Sequence, residues 1–597
     1  MCTSPLKKTS DPPEWAKHAV WYQIFVERFH NGDTNNDPTP QNIHAESNFY
    51  KVPDDWGITP WTGNWYKTDP WAEGLEGDFY ARIQLRRYGG DLRGVFEKLD
   101  YLEDLGVNAI YFNPLNDAPS LHKYDARNYR HIDVNFGPDP EGDNEIIASE
   151  DPEDPSTWKW TSADRMFLDL VKEMHKRGMK VILDYSWNHT GVEFWAWKDV
   201  VEKQEDSPYK DWYSIVSFDD PATPENEFDY RGWLNLKSLP EIKKVDTDGR
   251  HEYGHPYEGD INEGAKQHIF AVTERWLSPD GNIENGIDGF RLDVADHVPM
   301  GFWRDYHSYV KSINPDAYLV GEIWWEDYPD KLMDPVPYTN GDVFDAVMFY
   351  QVYRPGRSFF GNMENGIDAG QFKDSLEYQW VRLREPVRYA MMNVAATHDS
   401  PRLLTSFYNK GKYKVGAKPN DDPGYKTGKP DEETFRRVKL YLVHQFTSIG
   451  APHIWNGDEM GMWGADDPDC RKPLWWDEFE FDPEPRGNFL DPGEPYSEVG
   501  FNDEHHEYYK KLIDIRNGNE VLRTGQLEFL EAKGERLYYR RYSKDEEIYV
   551  MFNLGNNETT FELPDNGIWM NLLNGDLDLG KDITLGPLSA AIIARRP

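Results

Sequence analysis

Eight short runs of apolar residues, separated by segments with helical periodicity, recur through most of the chain. These runs are typical of buried strands and lie at 19–25, 108–114, 180–184, 286–294, 317–322, 346–350, 392–396 and 451–455. Strands that alternate with helices form parallel βαβ units, and eight such units close into a barrel. The pattern therefore predicts an α/β fold whose main domain is a (β/α)8 TIM barrel.

Two parts of the chain depart from this alternation. The stretch from 191 to 262 is acidic and aromatic, which predicts an inserted B subdomain after the third strand, and period-2 segments beyond about 525 predict a C-terminal antiparallel β-sandwich. The chain has 597 residues, which is enough for several domains. The expected boundaries are a flexible lead at 1–17, the barrel at 18–190 and 263–518, the inserted subdomain at 191–262 and the C-terminal domain at 519–597.

The charge of the chain excludes one class of partner. Lys and Arg number 65 against 106 Asp and Glu, which gives a formal net charge of −41. Nucleic-acid binding needs a basic surface, so no nucleic-acid partner is expected. No run of 18 apolar residues predicts a transmembrane helix. Two cysteines, Cys2 and Cys470, imply no disulfide framework.

The fourth predicted strand ends in a charged pair. Arg291 and Asp293 are two residues apart, so their side chains project to the same side of a strand. A neighbouring guanidinium holds a carboxylate ionised, as a nucleophile requires. Taken alone, the pair is equally typical of a structural ion pair, so the other strand ends must decide between the two interpretations.

Other predicted strands also end in polar residues. The third runs into Asp184 and His189, the fifth into Glu322, and the seventh into His398 and Asp399. Because the active site of a (β/α)8 barrel lies at the C-terminal ends of its strands, these side chains are expected at one mouth. Two carboxylates flanking a sugar bond are what glycoside hydrolysis uses. The strand ends therefore predict a glycosidase site.

Four motifs resemble those of the α-amylase superfamily, glycoside hydrolase family 13, in their residues, order and spacing. They are Asp184–His189, Gly289–His297, Leu319–Trp324 and Thr397–Arg402. The resemblance covers about residues 15–597. It implies that Asp293 is the nucleophile of a retaining double displacement, that Glu322 is the general acid/base and that Asp399 stabilises the transition state.

The same resemblance implies a set of substrate-binding residues. Arg291 would orient the nucleophile, and Tyr124 would form an aromatic platform under the sugar. The full set is Tyr124, Asp184, His189, Arg291, Trp324, His398 and Arg402. Four further tryptophans either line sugar subsites or fill the core; they are Trp56, Trp61, Trp65 and Trp71.

The loop after the first strand is rich in oxygen side chains. Asn31, Asp33, Asn36 and Asp37 follow one another there. Ca²⁺ takes six to eight oxygen ligands, although such clusters also occur in ordinary turns. Within the superfamily the chain is most similar to the neopullulanase and cyclomaltodextrinase group. That resemblance implies a Ca²⁺ site in which this loop is completed by Gly89 and Asp91.

Two features differ from related sequences. The group usually carries an N-terminal β-sandwich that helps to form dimers, whereas the barrel pattern here begins almost at once, which favours a monomer. The stretch Ser238–Lys243 departs from the group's usual signature. Asn188 and His297 match calcium-binding positions of typical α-amylases, but the inserted stretch shows no convincing partners for a second site.

We therefore expect an α-glucan hydrolase that cleaves α-1,4 bonds in starch, maltooligosaccharides, cyclodextrins or pullulan. An α-glucan transglycosylase would use the same covalent intermediate and stays an alternative. A non-catalytic glucan-binding protein is a third interpretation, which the presence of Asp293, Glu322 and Asp399 opposes.

The compartment depends on the residues before the barrel. Cys2, followed by a polar stretch, favours a lipid anchor and hence a periplasmic or surface lipoprotein of a bacterium. An ordinary cytoplasmic N-terminus is the alternative.

Overall fold

A computed structural model describes residues 9–43, 51–249, 254–490, 493 and 495–595. Its strands, in chain order, are β1 Trp21–Ile24, β2 Ala109–Phe112, β3 Lys180–Tyr185, β4 Ile215–Ser217, β5 Asp229–Tyr230, β6 Lys244–Val245, β7 Asp260–Ile261, β8 Gly289–Leu292, β9 Tyr318–Gly321, β10 Trp325–Asp327, β11 Lys331–Leu332, β12 Ala346–Val347, β13 Met392–Asn393, β14 Ala451–Trp455, β15 Glu484–Pro485, β16 Tyr496–Ser497, β17 Gln526–Lys533, β18 Arg536–Tyr542, β19 Glu547–Asn553, β20 Thr559–Glu562, β21 Trp569–Asn571, β22 Leu577–Leu579, β23 Asp582–Leu585 and β24 Ser589–Arg595.

Helices lie between many of the strands before residue 525. They are α1 Phe79–Arg82, α2 Leu92–Glu97, α3 Leu99–Leu105, α4 Pro140–Ala148, α5 Ser162–Lys176, α6 Trp195–Lys203, α7 Glu263–Leu277, α8 Met300–Ile313, α9 Tyr350–Phe360, α10 Ala369–Arg382, α11 Glu385–Ala390, α12 Leu403–Tyr408, α13 Glu432–Thr447, α14 Asp503–Gly518 and α15 Glu520–Thr524.

Eight strands form one sheet in the order β12-β9-β8-β3-β2-β1-β14-β13. Its neighbours pair in parallel, as in the registers of β3 with β8 and of β13 with β14. An isolated parallel bridge joins Met348, which lies one residue beyond β12, to Met392, the first residue of β13. Helices follow these strands, and the predicted α/β fold with a (β/α)8 barrel is confirmed.

The chain packs as two compact units. The first comprises Met1–Pro13, Ile24–Asp100 and Ala109–Val347, and the second comprises Glu14–Gln23, Tyr101–Asn108 and Met348–Pro597. The first contains β2, β3, β8, β9 and β12, together with the stretch 191–262, where α6 and the short strands β4 to β7 replace the barrel rhythm. The second contains β13, β14 and the C-terminal strands.

The C-terminal part is antiparallel, as predicted. Six strands form a sheet in the order β17-β18-β19-β24-β21-β22, and β20 pairs with β23. Alternate residues bury one face of the sheet. They form a core that includes Tyr549, Met551, Phe561, Trp569 and Ile593.

Several elements differ in extent from the sequence prediction. The run 346–350 gives only the two-residue strand β12, because α9 begins at Tyr350. Helix α13 begins at Glu432, where the side chain of Asp431 accepts a hydrogen bond from the backbone N–H of Thr434. Helix α14 begins at Asp503 and ends before Asn519, whose extended backbone separates it from α15.

The tryptophan-rich segment before α1 fills a local core. Trp56 and Trp71 pack with Ile43, Ala72 and Leu85. Trp65 is 2% exposed. Burial favours core filling over sugar binding for these three side chains.

Among the residues that the structure describes, no helix combines the length and apolarity that a membrane crossing needs. Cys2 lies outside the described residues, so the lipid anchor and the compartment stay predictions.

Candidate active site

Strand β8 delivers the central pair of charged residues. It begins at Gly289, where φ is +148° and an added Cβ would lie 1.9 Å from the carbonyl oxygen of Tyr318, so only glycine fits. Arg291 is fully buried. Asp293 follows the last strand residue, and its N–H donates to the carbonyl of Tyr185 at 3.0 Å. The strand therefore ends at the predicted nucleophile.

One guanidinium holds three carboxylates. A terminal nitrogen of Arg291 donates to Asp293 Oδ1 at 2.8 Å and to Asp184 Oδ1 at 3.0 Å. The other terminal nitrogen forms an ion pair with Glu322 Oε2 at 2.9 Å. Burial alone would lower the pKa of Arg291, but the charges of Asp184 and Glu322 outweigh it and raise the pKa well above its ordinary value. Arg291 is therefore a permanent cation between these acids.

Asp184 is the best-connected acid of this group. It accepts hydrogen bonds from the hydroxyls of Tyr111 and Tyr124 at 2.7 and 2.8 Å, in addition to Arg291. Burial raises its pKa to about 6, although Arg291 and the two tyrosines act in the opposite direction. With its oxygens engaged, Asp184 serves to orient Tyr124 and Arg291.

The turn after Asp293 couples the two predicted catalytic acids. Val294 adopts the left-handed conformation with φ 39° and ψ 50°, which is a rare state for a β-branched residue. Its N–H donates to Glu322 Oε2 at 3.2 Å. The N–H of Ala295 donates to the carbonyl of Glu322 at 3.0 Å. The strained turn therefore fixes Glu322 beside the end of β8.

His189 and Trp324 provide further polar and aromatic groups in this unit. The ring of His189 stacks on Trp233 with 5.6 Å between centroids. Burial and the charge of Lys244 lower the pKa of His189 to about 3, so the ring is neutral near pH 7. Among the described residues, its Nε2 finds no hydrogen-bond partner. Trp324 stacks on Trp325 at 5.2 Å.

Asp399 lies in a cationic setting within the second unit. His398 Nε2 is 2.9 Å from Asp399 Oδ2, and Arg471 donates to Asp399 Oδ1 at 2.8 Å. Burial raises the pKa of the Asp399 carboxyl, but His398, Arg471 and Lys414 outweigh burial and hold the pKa well below its usual range. Gln23 contacts the other ring nitrogen of His398 at 2.9 Å.

Arg402, a predicted substrate-binding residue, is surrounded by groups of the second unit. It is fully buried, and it donates to the carbonyl of Asn456 at 2.9 Å and to Asp458 Oδ1 at 3.1 Å. Its guanidinium lies 5.5 Å from the ring centroid of Trp455. These contacts engage one terminal nitrogen of Arg402, whereas its Nε and its other terminal nitrogen have no hydrogen-bond partner among the described residues, so a role in substrate binding stays a prediction.

Sequence reasoning missed several residues of these two groups. Tyr111 is a strand residue that looked like ordinary core, and Lys414 had no motif to mark it. Arg471 follows the eighth strand and belongs to none of the four motifs, and only the structure pairs it with Asp399. In each case the contact joins residues far apart in sequence.

A lysine ammonium contacts Asn188, one of the two residues that match a second calcium site. Lys244, with a side chain only 3% exposed, lies 3.4 Å from Glu241. It donates to Asn188 Oδ1 and to the carbonyl of Ile242, both at 2.8 Å. The ring of His297, the other matched position, accepts from Trp233 Nε1 at 2.9 Å. At a position that the resemblance matches to a calcium site, the structure therefore places the ammonium of Lys244.

The loop predicted to bind calcium brings most of its residues together. Asn31 Nδ2 donates to Asp37 Oδ1 at 2.8 Å. Gly89 has φ +77°, and an added Cβ there would lie 2.1 Å from Asp37 Oδ1. Asp33 accepts from the N–H and side chain of Asn35 at 3.0 and 2.7 Å.

The chemistry of this loop fits a cation. Among the described residues, the side-chain oxygens of Asn31 and Asn36 are buried and accept no hydrogen bond. Burial, together with the charges of Asp91, Glu27 and Asp33, raises the pKa of Asp37 to about 6, although Asn31 lowers it. No group of three His, Cys, Asp or Glu side chains in the described part is arranged for a metal, so amide and backbone oxygens would have to complete the site.

Asp91 shapes this loop through its hydrogen bonds. Its Oδ1 accepts from the N–H groups of Gly94 and Gly32 at 2.6 and 3.2 Å. Its Oδ2 accepts from the N–H of Asp33 at 2.9 Å and from Asn36 Nδ2 at 3.1 Å. Asp91 is thus the N-cap of α2.

Comparison with protein families gives one match, which covers most of the chain. The family is described as "Alpha amylase, catalytic domain", and it matches residues 23–148 and 161–525. Neopullulanase 2 of Thermoactinomyces vulgaris is 34% identical over 97% of this chain and 78% of its own length. A cyclomaltodextrinase of Geobacillus thermopakistaniensis is 31% identical over 94% of this chain and 74% of its own.

Comparison with solved structures also finds hydrolases. A cyclic α-maltosyl-(1→6)-maltose hydrolase from Arthrobacter globiformis superimposes with a TM-score of 0.67 and 26% identity, over 98% of this chain and 99% of its own. The type III pullulan hydrolase from Thermococcus kodakarensis reaches a TM-score of 0.71 at 26% identity, over 98% of this chain and 83% of its own.

Proposed function

The chain belongs to the α-amylase family of glycoside hydrolases, and from that premise we propose that it hydrolyses α-1,4-glucosidic bonds of α-glucans with retention of configuration. The relatives named neopullulanase and cyclomaltodextrinase support the substrate class. The observation that carries the proposal is the buried Arg291, which contacts both Asp293 and Glu322. A glycosidase needs two such carboxyls beside one bond.

In the proposed reaction Asp293 attacks the anomeric carbon while Glu322 gives its proton to the leaving oxygen. The glucosidic bond breaks, and an ester between the sugar and Asp293 forms. Glu322 then takes a proton from water, whose oxygen displaces Asp293 and releases the sugar. Arg291 keeps Asp293 ionised, and the Val294 N–H holds Glu322 in place.

The remaining residues have binding roles in this proposal. Asp399, held ionised by His398 and Arg471, accepts sugar hydroxyls and favours the positively charged transition state. The neutral His189 offers a ring nitrogen to a sugar hydroxyl. Tyr124, fixed by Asp184, forms the aromatic platform. Trp324 provides a further aromatic face, and Arg402 would act through its unpartnered guanidinium nitrogens.

Product analysis on pullulan, soluble starch and γ-cyclodextrin tests the substrate class. Hydrolysis to short maltooligosaccharides is expected, with none from the Asp293→Asn variant. Panose from pullulan would give the chain the specificity that the name neopullulanase describes, and cleavage of starch alone would favour an ordinary α-amylase.

Other outcomes of the same analysis would contradict the proposal. Products longer than the substrate would show transfer to a sugar hydroxyl, and an α-glucan transglycosylase would replace the hydrolase. If none of the three substrates is cleaved, the protein either acts on a different glycoside or only binds glucans.

We further propose that the loop after β1 binds Ca²⁺. The ligands would be the oxygens of Asn31, Asp33, Asn36 and Asp37 with the carbonyl of Gly89, while Asp91 shapes the loop. The buried, unsatisfied amide oxygens support this assignment. The ion would neutralise the acidic cluster and tie the loop to the segment before α2.

Calcium removal is expected to lower the melting temperature. Binding at a free concentration 100 times Kd stabilises a fold by about 2.7 kcal/mol, so a chelator should cause a shift of several degrees that added Ca²⁺ reverses. The pKa of Asp37 without the ion is raised to about 6 from 3.8. The folded state then binds more protons than the unfolded state between these values, so stability without calcium falls as pH rises through this window.

The chelator effect should therefore be larger at pH 7 than at pH 5. Calorimetry with and without chelator measures it, and Asp37→Asn is the matched variant in which the response should be small. An unchanged melting temperature after chelation and calcium addition at pH 7 would count against the site.

A further inference from the structure

A groove of about 690 Å³ lies along the outer side of α7, in the first unit. The segment Glu153–Trp160 forms one wall, and exposed residues of α7 form the other. None of the residues proposed for catalysis lines it. From its geometry we propose that it is a second binding site for an α-glucan chain, a proposal that rests on the proposed function and extends it.

The groove follows one face of a helix. Gly264, Gln267, Ala271 and Glu274 recur at intervals of three or four residues and line it. The opposite face of α7 packs into the core through residues such as Trp276, which is fully buried. Small residues at two of the four positions leave room along the helix for an extended ligand.

Tryptophans give the groove its apolar surface. Trp158 and Trp160 are alternate residues of an extended segment, so both side chains lie on one side while Lys159 projects away and donates to Ser149 Oγ at 2.7 Å. The guanidinium of Arg275 lies 3.7 Å from the ring centroid of Trp160. Rings held in this way lose little freedom on binding, which favours affinity.

Three carboxylates along the groove are each oriented by an aromatic donor. The hydroxyl of Tyr209 donates to Glu153 at 2.8 Å, and the hydroxyl of Tyr309 donates to Glu274 at 2.7 Å. The indole N–H of Trp160 donates to Asp280 at 3.2 Å. The second oxygen of each carboxylate accepts no side-chain hydrogen bond among the described residues, so it can accept one from a ligand hydroxyl.

A buried histidine adds an unsatisfied polar atom to the groove lining. His268 is 8% exposed, and within the described residues its Nε2 has no hydrogen-bond partner. Its ring lies among Trp158, Trp195 and Trp212, with centroids 5.5 to 6.0 Å apart. Burial keeps this ring neutral by lowering its pKa to about 3, which suits an uncharged ligand.

The side chains that line the groove favour a sugar over a polyanion or a metal ion. Flat aromatic faces match the C–H faces of pyranose rings, and fixed carboxylates match sugar hydroxyls. The net charge of −41 opposes a polyanion, and no three acidic or histidine side chains in the described part converge to hold a metal. Because the chain's proposed substrate is an α-glucan, the ligand that fits both this groove and the enzyme is a glucan segment.

The test counts binding sites for maltoheptaose on the full chain made inactive by Asp293→Asn, using isothermal titration calorimetry. Two sites are expected. Adding Trp158→Ala should abolish one or weaken it at least about tenfold, and leave the other unchanged within about twofold. Ala271→Arg, which fills the groove with a good helix former, should have the same effect if Trp158→Ala is poorly folded.

Two controls make the result specific. Tyr378→Ala, in which an exposed aromatic outside the groove is removed, should leave both sites intact. In the otherwise native enzyme, Trp158→Ala and Ala271→Arg should leave kcat on maltotriose unchanged and lower the fraction bound to starch granules.

The remaining outcomes would overturn the groove proposal. A single site in the Asp293→Asn protein, or two unchanged sites after Ala271→Arg, would exclude glucan binding at the groove. Self-association that Ala271→Arg abolishes, with only one maltoheptaose site, would make the groove a contact between copies. Hydrolysis of maltoheptaose by the native enzyme is measured in parallel, and its absence would refute the proposed function instead.

Discussion

Asp293→Asn and Glu322→Gln are each expected to lower kcat on maltooligosaccharides by about four orders of magnitude or more. Asparagine at 293 still accepts a hydrogen bond from Arg291 but cannot form the covalent intermediate. Glutamine at 322 keeps the bond from the Val294 N–H but has no proton to give. Both amides preserve the shape of the site, so the melting temperatures should change by only a few degrees.

A substrate with an activated leaving group separates the two roles. In α-maltosyl fluoride the leaving group is fluoride, which departs without being protonated. Glu322→Gln should therefore still form the glycosyl-enzyme from this substrate, and mass spectrometry should detect the adduct on Asp293. Asp293→Asn should form none. Asp327→Asn, an exposed acid five residues beyond Glu322, is the matched control and should keep native activity. Near-native kcat in either catalytic variant would refute the role assignment.

The barrel could be predicted from the sequence because the patterns that indicate its strands and helices are local. Each strand is a short apolar run, and helical periodicity between runs is visible without tertiary contacts. The acids at the strand ends could be predicted in the same way, since Asp293 and Glu322 each follow directly after a short buried strand. Element boundaries were less certain, as at β12, because a tertiary context decides where a short strand gives way to a helix.

The contacts of the candidate site could not be predicted in the same way. Arg291 was expected to pair with Asp293, two residues away, but its contact with Glu322 joins two strands. The left-handed backbone of Val294 opposes the intrinsic preference of valine, so no propensity could have indicated it. Arg402 belonged to a recognised motif, but its contact with Asp458, 56 positions further along the chain, could not be predicted, because a motif records residue types and not their partners.

Removal of the buried ammonium of Lys244 is expected to cause a large loss of stability. Lys244→Ala is expected to lower the free energy of unfolding by about 3–5 kcal/mol, since it leaves the buried Glu241 carboxylate without its counter-charge and the oxygens of Asn188 and Ile242 without a donor. Thermal and urea unfolding measure the loss. Lys243→Ala removes the neighbouring lysine, whose side chain is 44% exposed, and should change stability by less than about 1 kcal/mol.

Calcium should partly restore the stability of Lys244→Ala. The vacated space is surrounded by the Asn188 amide oxygen, the Ile242 carbonyl and the Glu241 carboxylate, which are the ligand types that Ca²⁺ prefers, and water can supply the rest. Millimolar Ca²⁺ should therefore raise the melting temperature of Lys244→Ala more than that of the native chain. In Lys244→Ala/Glu241→Leu, where the carboxylate is also gone, that additional calcium response should disappear. Native-like stability of Lys244→Ala without calcium would show that the ammonium has no such role, because the oxygens around it would then be satisfied by water alone.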